Sequence, residues 1–530
     1  MTALGLPKQD SMSRANLIFL ATCGAAWLLF YQLMAVQNRA FVVEDCPQSG
    51  RSPLLRIRPA GRVAQSLPVK VLLIHGLSAS KSAMRQMAAE LARWGCDCYL
   101  IDLPGHGDSP ERFSFEATVS ATDQAVRELS SGANGANSSS PSLVLIGHSF
   151  GARAALGAAQ RHPRIAAVIA LSPAAESFAP KAMVPLLIVL GEFDFPFVRR
   201  GAAFLYEQVT GTRLPRLDEP GQWQSSTGSS RLVVLPWTDH SQTLFKAGSL
   251  HEIKMWLTRV SSAIAEVPFS PRAFWVRTQL RVVFCILSLL IWFPVVALLV
   301  DLLMPGRMEL SSNTFSRVPK RRFTLVWVYA FAPPLAVLFL LWMNPWERLG
   351  LLGGDYLTGL LCATGVLGLT ALQPEWKKAD GKWQALLCSL LAWLILVVGC
   401  SPWITREFVH LDLNAIRFRR LYWISLSVLP FFILDEQVCR RMLQGLSTAR
   451  IVMFHLSTRF ILAITLLLGF FVLRNGQFLV VLLLPGLLLT SFLCWCLTAW
   501  IHRKTGSVAA SALFGSLATG WFFSVFFAQL

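Results

Sequence analysis

The sequence predicts two structural classes in one chain: a three-layer α/β domain with a mostly parallel sheet, then a polytopic α-helical membrane domain. Composition is the first observation behind this. Hydrophobic residues make up 54% of the 530 and charged residues 15%, where soluble domains carry roughly 25% charged residues; mean hydropathy is +0.51. The second is placement. Apolar runs long enough to span a bilayer occur at 16–36 and again from about 279 onward, but nowhere between 37 and 275. The third is the pattern inside that interval, where short Val/Ile/Leu runs alternate with amphipathic stretches. Such alternation marks strands buried on both faces with helices between them.

These numbers exclude an ordinary soluble protein and a disordered one. The net charge of +18 suggests nucleic acid until it is divided along the chain. Residues 37–275 carry 24 Lys/Arg against 19 Asp/Glu, whereas 276–530 carry 22 against 10. The excess lies between apolar segments, where Lys and Arg set membrane orientation, so no nucleic-acid partner is expected.

Residues 1–15 read as a cytoplasmic N-terminus holding Lys8 and Arg14, and 16–36 as an uncleaved signal anchor. Residues 37–67 read as a linker. The α/β domain is expected over 68–262, with strands at Val69–Ile74, Cys98–Ile101, Leu143–Ile146, Ala167–Leu171, Leu186–Leu190 and Leu232–Leu235. Helices are expected at Ser82–Trp94 and Arg153–Arg161, and Ser130–Ser140 is a loop by composition. A second linker is expected at 263–278. Residues 279–530 then hold about eight spans, near 280–303, 323–343, 349–372, 384–403, 421–434, 451–473, 477–500 and 507–528. Counting from a cytoplasmic N-terminus puts the basic loops at 304–322, 377–382, 440–450 and 503–504 inside and the α/β domain outside. The loop 404–420 dissents, with Arg406, Arg417, Arg419 and Arg420 on the outer side. Six or more of the eleven cysteines fall in apolar spans, and a Cys46 bridge to Cys96 or Cys98 stays open.

The chemistry concentrates at Gly147-His148-Ser149-Phe150-Gly151, between a strand and a helix. A Gly-x-Ser-x-Gly turn lifts a serine clear of the sheet, and its glycines allow a turn too tight for side chains. Serine needs a base, and the base an orienting carboxylate, in the chain order Ser, Asp/Glu, His. After one strand comes Gly191-Glu192-Phe193-Asp194, and after the next Pro236-Trp237-Thr238-Asp239-His240. Both lie at strand C-termini, where the crevice of a parallel sheet opens. His240 is the expected base and Asp194 the expected acid, with Glu192 and Asp218 as rivals. His148, His162 and His251 read as surface or turn residues, and His75 as structural. Backbone N–H groups of Phe150 and of Leu77, in His75-Gly76-Leu77-Ser78, are the expected oxyanion donors.

Ile74-His75-Gly76, Ile101-Asp102-Leu103-Pro104-Gly105-His106-Gly107-Asp108-Ser109, the elbow, Gly191-x-x-Asp194 and Asp239-His240 together resemble the α/β-hydrolase superfamily. The likeness covers about 68–260 and is nearest to the monoacylglycerol-lipase and serine-aminopeptidase-like branch. It implies a Ser-His-Asp hydrolase of an ester, thioester or amide and does not say which; an esterase- or lipase-like activity is expected ahead of a peptidase. The family's helical cap looks absent, and 199–230, with Phe204, Leu205, Tyr206 and Trp223, is the segment expected over the crevice instead.

A weaker, degenerate resemblance links 420–525 to the CAAX-processing and bacteriocin-processing family of intramembrane proteases. Asp435-Glu436 and Arg440 fit its first motif, and Lys504-Thr505-Gly506-Ser507 its last. Arg474, Gly515 and Thr519 stand where its histidines and asparagine would be. The plainer expectation is that Asp435 and Glu436 lie at the cytoplasmic interface, paired with Arg440 and Arg441.

No metal or cofactor is expected. The partners expected are a small-molecule or lipid acyl substrate and the bilayer, in a plasma membrane of bacterial inner-membrane type with the α/β domain periplasmic or extracellular. The competing readings are a non-catalytic lipid- or peptide-binding scaffold and a hydrolase coupled to a transporter.

Overall fold

A computed structural model describes residues 9–46, 52–60, 69–131, 143–175, 184–214, 217–303, 322–343, 349–373, 383–443, 446–473 and 478–530. Helix α1 (Gln9–Asn38) is followed by strands β1 (Phe41–Asp45), β2 (Leu54–Pro59) and β3 (Lys70–Ile74). Then come α2 (Lys81–Arg93), β4 (Asp97–Ile101), α3 (Phe115–Ser131), β5 (Leu143–His148), α4 (Phe150–Arg161) and β6 (Ile165–Leu171). The domain closes with β7 (Leu186–Phe193), α5 (Pro196–Thr210), β8 (Gly221–Gln224), β9 (Ser230–Asp239), α6 (Ala247–Leu257) and α7 (Ala263–Glu266).

The nine strands form one sheet in the order β1-β2-β4-β3-β5-β6-β7-β9-β8, parallel from β4 to β9 and antiparallel at both margins. Alternating side chains explain the three layers. Leu72 and Ile74 of β3 face a cluster built with α3, α4 and α5, whereas Val71 and Leu73 face one built with α2 and α6. Each such fully buried aliphatic chain contributes about 1.5–3 kcal/mol.

The expected linker 37–67 holds two strands. In β2, Leu55 and Ile57 face inward while Arg56 pairs with Asp97 at 2.7 Å, so the alternation continues the sheet beyond β4. The described residues of the segment 199–230 include α5 and β8, which both meet the sheet. Leu205 and Tyr206 of α5 are buried against the sheet, and β8 pairs with β9 at its edge. All eleven cysteines are free. Cys46 packs on the α3/α4/α5 side of the sheet and Cys96 and Cys98 on the other, which separates the thiols.

The helical half comprises α8 (Pro271–Leu290), α9 (Trp292–Leu303), α10 (Arg322–Met343), α11 (Gly354–Leu372), α12 (Trp383–Thr405), α13 (Ala415–Gln437), α14 (Thr448–Phe471), α15 (Phe478–Thr505) and α16 (Val508–Phe526). Among the described residues eight helices are long and apolar enough to cross a membrane, Leu17–Asn38 of α1 included. In α10 the described apolar stretch, Trp327–Leu341, is shorter. Helix α8 starts inside the expected linker because its first turns belong to the sheet domain. Phe274 is buried in the α2/α6 cluster, and Arg277 makes two 2.7 Å bonds to Glu90.

One end of the bundle meets the sheet domain. Arg93 donates to the Gln37 carbonyl at the end of α1, Asp108 lies 3.5 Å from His410 between α12 and α13, and Phe245 packs on Phe408. Beyond α16, the Gln529 carbonyl accepts from the Phe113 N–H at 2.5 Å, and its N–H donates to the Gly105 carbonyl at 2.9 Å. The dissenting arginines of 404–420 sit at this junction. Arg417 is buried with its guanidinium toward the Asp412 carbonyl, and Arg420 reaches the Leu530 carbonyl. Helix alternation places the ends flanking 304–321 and 374–382, and residues 438–443, 446–447 and 503–507, at the opposite end.

Asp435 and Glu436 are 1% exposed and lie in the last turn of α13, at the end away from the sheet domain. Helix α13 runs on through Gln437, so both carboxylates face neighbouring helices. Asp435 binds Arg459 of α14 at 2.7 and 3.0 Å, and Glu436 binds Arg440 at 3.0 Å and the Thr498 hydroxyl at 2.6 Å. Arg441 binds Gln437. Inside a bilayer such pairing is what makes buried charge tolerable.

Candidate active site

The site is built at the C-terminal ends of the parallel strands. Strand β5 ends and α4 begins across Ser149, which has φ +52°, ψ −114°, a backbone that a non-glycine residue seldom adopts. Its flanking glycines make the turn possible. A Cβ on Gly147 would collide with the Gly151 carbonyl, and one on Gly151 with the carbonyls of Ile74 and His75 at the end of β3.

Three side chains from three strand ends then fall into line. His240 Nε2 lies 3.0 Å from Ser149 Oγ, and His240 Nδ1 lies 2.7 Å from Asp194 Oδ1. Asp194 is 2% exposed and His240 6%. Burial pushes the Asp194 carboxyl up, but hydrogen bonding and attraction from His240, with the Ser172 hydroxyl, outweigh it and hold it below its ordinary value. Of the rivals, Glu192 accepts the Trp237 N–H at 2.8 Å, and Asp218 is exposed beside Arg199.

Phe150 is the first residue of α4, so its N–H belongs to the helix-end donors that lack an intrahelical partner. Leu77 follows Gly76, where an added Cβ would meet Ser149 Cβ at 3.1 Å, so this loop passes directly over the elbow. His75 is fully buried and its Nε2 accepts the Leu103 N–H at 3.1 Å, a structural role. Asp102 is also fully buried. Burial pushes it up, but Lys81, at 2.8 Å, and His75 outweigh that and hold it low, while it accepts the Lys81 and Asp108 N–H groups. It thereby fixes the Gly105–Gly107 turn.

Three residues of this site escape sequence reasoning. Ser172, at φ +44°, donates from Oγ to Asp194 Oδ2 at 2.5 Å. The Thr243 hydroxyl donates to the His240 carbonyl at 2.9 Å and lies 3.2 Å from Ser172 Oγ. His148, expected at the surface, is buried, with Nε2 3.0 Å from the same carbonyl and its ring 5.0 Å from that of His240. Its place at the x of Gly-x-Ser was the available signal. His162 pairs with Asp123, and His251 is exposed.

Residues 67–193, about a quarter of the chain, match the Hydrolase_4 family, described as serine aminopeptidase, S33. The sheet domain has the α/β-hydrolase fold. The match includes Ser149 and the Leu77 loop but ends before Asp194 and His240. Among solved structures, a CIB-like hydrolase from Thermoplasma acidophilum aligns at 19% identity, with 42% of this chain and 99% of that chain covered and a TM-score of 0.31. Esterase Pf2001 from Pyrococcus furiosus aligns at 16%, with 42% and 92% covered and a TM-score of 0.32. A membrane phospholipase A, described as a bacterial virulence factor, aligns at 14%, with 48% and 99% covered and a TM-score of 0.33. No curated protein matches the chain.

The resemblance of 420–525 to intramembrane proteases is not shown by these comparisons. Arg474 lies outside the described residues, a Cβ on Gly515 would strike Phe432, and Thr519 lines a cavity. One group in this half has metal-ligand geometry among the described residues: Asp435, Cys439 and His455 bring ligand atoms within 4.8 Å of one another. Both Asp435 oxygens already accept from Arg459, whose positive charge a cation would face.

Proposed function

We propose that this chain is a membrane-embedded serine hydrolase that cleaves an ester, thioester or amide through an acyl-enzyme, with esters the favoured class. The observation that carries the reading is the relay Asp194–His240–Ser149, with links of 2.7 and 3.0 Å at the mouth of the sheet. His240 Nε2 takes the proton as Ser149 Oγ attacks the acyl carbonyl. The Phe150 and Leu77 N–H groups hold the oxyanion, aided by the positive N-terminal end of α4. The tetrahedral species collapses as His240 returns the proton to the leaving group. Water, activated by the same histidine, then releases the acid. Asp194 keeps His240 oriented and stabilises the imidazolium. Apart from that water, the groups named in these steps are side chains and backbone of this chain.

Location follows from charge. Basic connections favour the cytoplasm, and the sheet domain packs at the other end of the helices, which fits a periplasmic or extracellular position at a bacterial inner membrane. An alternative as a binding scaffold gives no reason for the Asp194–His240–Ser149 alignment.

Labelling of the detergent-purified chain by a fluorophosphonate probe tests the reading. Wild type is expected to label and Ser149→Ala not to label. Equal labelling of both, or none of a folded wild type, would overturn it.

A further inference from the structure

At the oxyanion loop the sheet domain packs against the helical half. Leu77, beside the nucleophile, packs at once against the α3/α4/α5 cluster of the sheet domain and against an apolar cluster inside the bundle. Leu352, before α11, joins the same two clusters, and Ala528 and Phe527 are buried in one each. The apolar interior therefore runs without a break from the oxyanion loop into the bundle.

Within that bundle cluster lies a cavity of about 110 Å³ between α11, α13, α14, α15 and α16. Its walls include Leu360, Phe431, Leu462, Leu466, Leu484 and Phe523. Apart from Arg459, Thr490, Ser491 and Thr519 its lining is apolar, which suits a hydrocarbon guest better than water. Its upper wall reaches Leu357, three residues, or about 5 Å, from the sheet-facing end of α11. Its floor reaches Arg459, twelve residues, or about 18 Å, from the sheet-facing end of α14. That range is close to the depth of one leaflet, about half of a ~30 Å hydrocarbon core.

The floor decides which part of a lipid enters. Arg459 donates to both Asp435 oxygens, and its Nε donates to Ser491 Oγ at 2.9 Å. Its charge is already balanced, so it does not call for an anionic headgroup. We infer that this cavity holds the alkyl chain of a bilayer lipid, and that the lipid whose acyl carbonyl reaches Ser149 is the substrate. The substrate half of this inference rests on the serine-hydrolase reading; the cavity half does not. The helices thus act as an acyl-binding cap over the sheet domain, and the chain stays in a leaflet-like environment while its carbonyl is cleaved.

The test uses the full chain in lipid vesicles and two photoreactive probes. The first is a long-chain alkyl fluorophosphonate with a diazirine at the chain end. After reaction at Ser149 and illumination, mass spectrometry is expected to find crosslinks in 357–361, 462–466, 484–491 or 522–523. Crosslinks confined to sheet-domain residues such as Phe115 and Phe195 would overturn the inference. The second is a phosphatidylethanolamine with a diazirine-ended acyl chain, incorporated with Ser149→Ala protein. It is expected to mark the same cavity peptides, and labelling restricted to outward-facing residues such as Phe460 and Leu489 would refute the cavity as a lipid site. Cavity labelling by the lipid without attachment of the first probe would support the cavity site and reject the serine reading, and the substrate assignment with it.

Discussion

Replacing Ser172 by alanine removes the short bond from its hydroxyl to Asp194 Oδ2 while leaving every member of the proposed triad in place. The lost bond is 2.5 Å long and ends on a carboxylate; the other donor to that oxygen, the Gly191 N–H, is a distant 3.3 Å. Hydrogen bonds to charged groups contribute about 1.5–3 kcal/mol, and each ~1.4 kcal/mol is tenfold in rate. If the bond aligns Asp194 on His240, kcat/KM for a short-chain ester falls by about 10- to 100-fold. The loss stays well short of ~10⁴-fold, the scale of removing the carboxylate charge. Removing that donor also lets the Asp194 carboxyl rise toward its ordinary value. A companion variant separates position from strain. Ser172 has φ +44°, in the left-handed region that costs an L-residue roughly 1–2 kcal/mol. Ser172→Gly should therefore unfold at a higher temperature than Ser172→Ala while losing the same activity. Steady-state hydrolysis, with thermal unfolding in detergent, reads both quantities. Full activity in Ser172→Ala, or recovery in Ser172→Gly, would refute the reasoning.

Asp194→Asn is expected to lower kcat by about 10⁴-fold, whereas Glu192→Gln, which touches only the Trp237 N–H, should stay within about tenfold; ester-hydrolysis kinetics that reverse this ranking would move the acid to Glu192. Gly151→Ala should destabilise the sheet domain by about 3 kcal/mol or more, because its Cβ meets rigid backbone at Ile74 and His75; a wild-type unfolding temperature would contradict the tight packing at the elbow. Acid should destabilise the domain early. Burial first, with the positive charge of neighbouring histidines, pushes His106 and His148 down to about 3. Their unfolded value is about 6.5, so the stability they support is complete above that pH and is lost as pH falls towards 3. Asp102 and Asp194, held low, add stability above their ordinary carboxyl range that is lost below it. An unfolding temperature flat from pH 7 to pH 4 would remove that account.

What the sequence made legible was chemistry tied to local order. The elbow glycines flank a serine between a strand and a helix, and Asp194 and His240 each follow a Val/Leu run, so strand ends alone bring them near Ser149. Strand β2 was hidden because a six-residue strand with arginines at alternate positions looks polar until Arg56 is seen to meet Asp97, and β1 because five residues ending in Glu44-Asp45 are too short to stand out. Ser172 was hidden because a positive φ on serine depends on how β6 ends against β7, not on its neighbours in sequence. The pairing of Asp435 with Arg459 was hidden for another reason. They lie 24 residues apart on two helices, and Arg440, one helical turn from Glu436, offered the nearer partner for both.

Residues 527–530 thread the junction between the two halves, with Ala528 buried in the sheet domain's own core and Gln529 bonded to Gly105 and Phe113. These contacts join positions more than 400 residues apart, so they form only after the helical half has been synthesised. During biogenesis the sheet domain emerges and folds first, with part of its core surface near Phe113 and Phe150 uncovered. It reaches its final form when the last helix docks. A ribosomal product that stops before α16 then carries an unfinished sheet domain, its core open where Ala528 would have covered it.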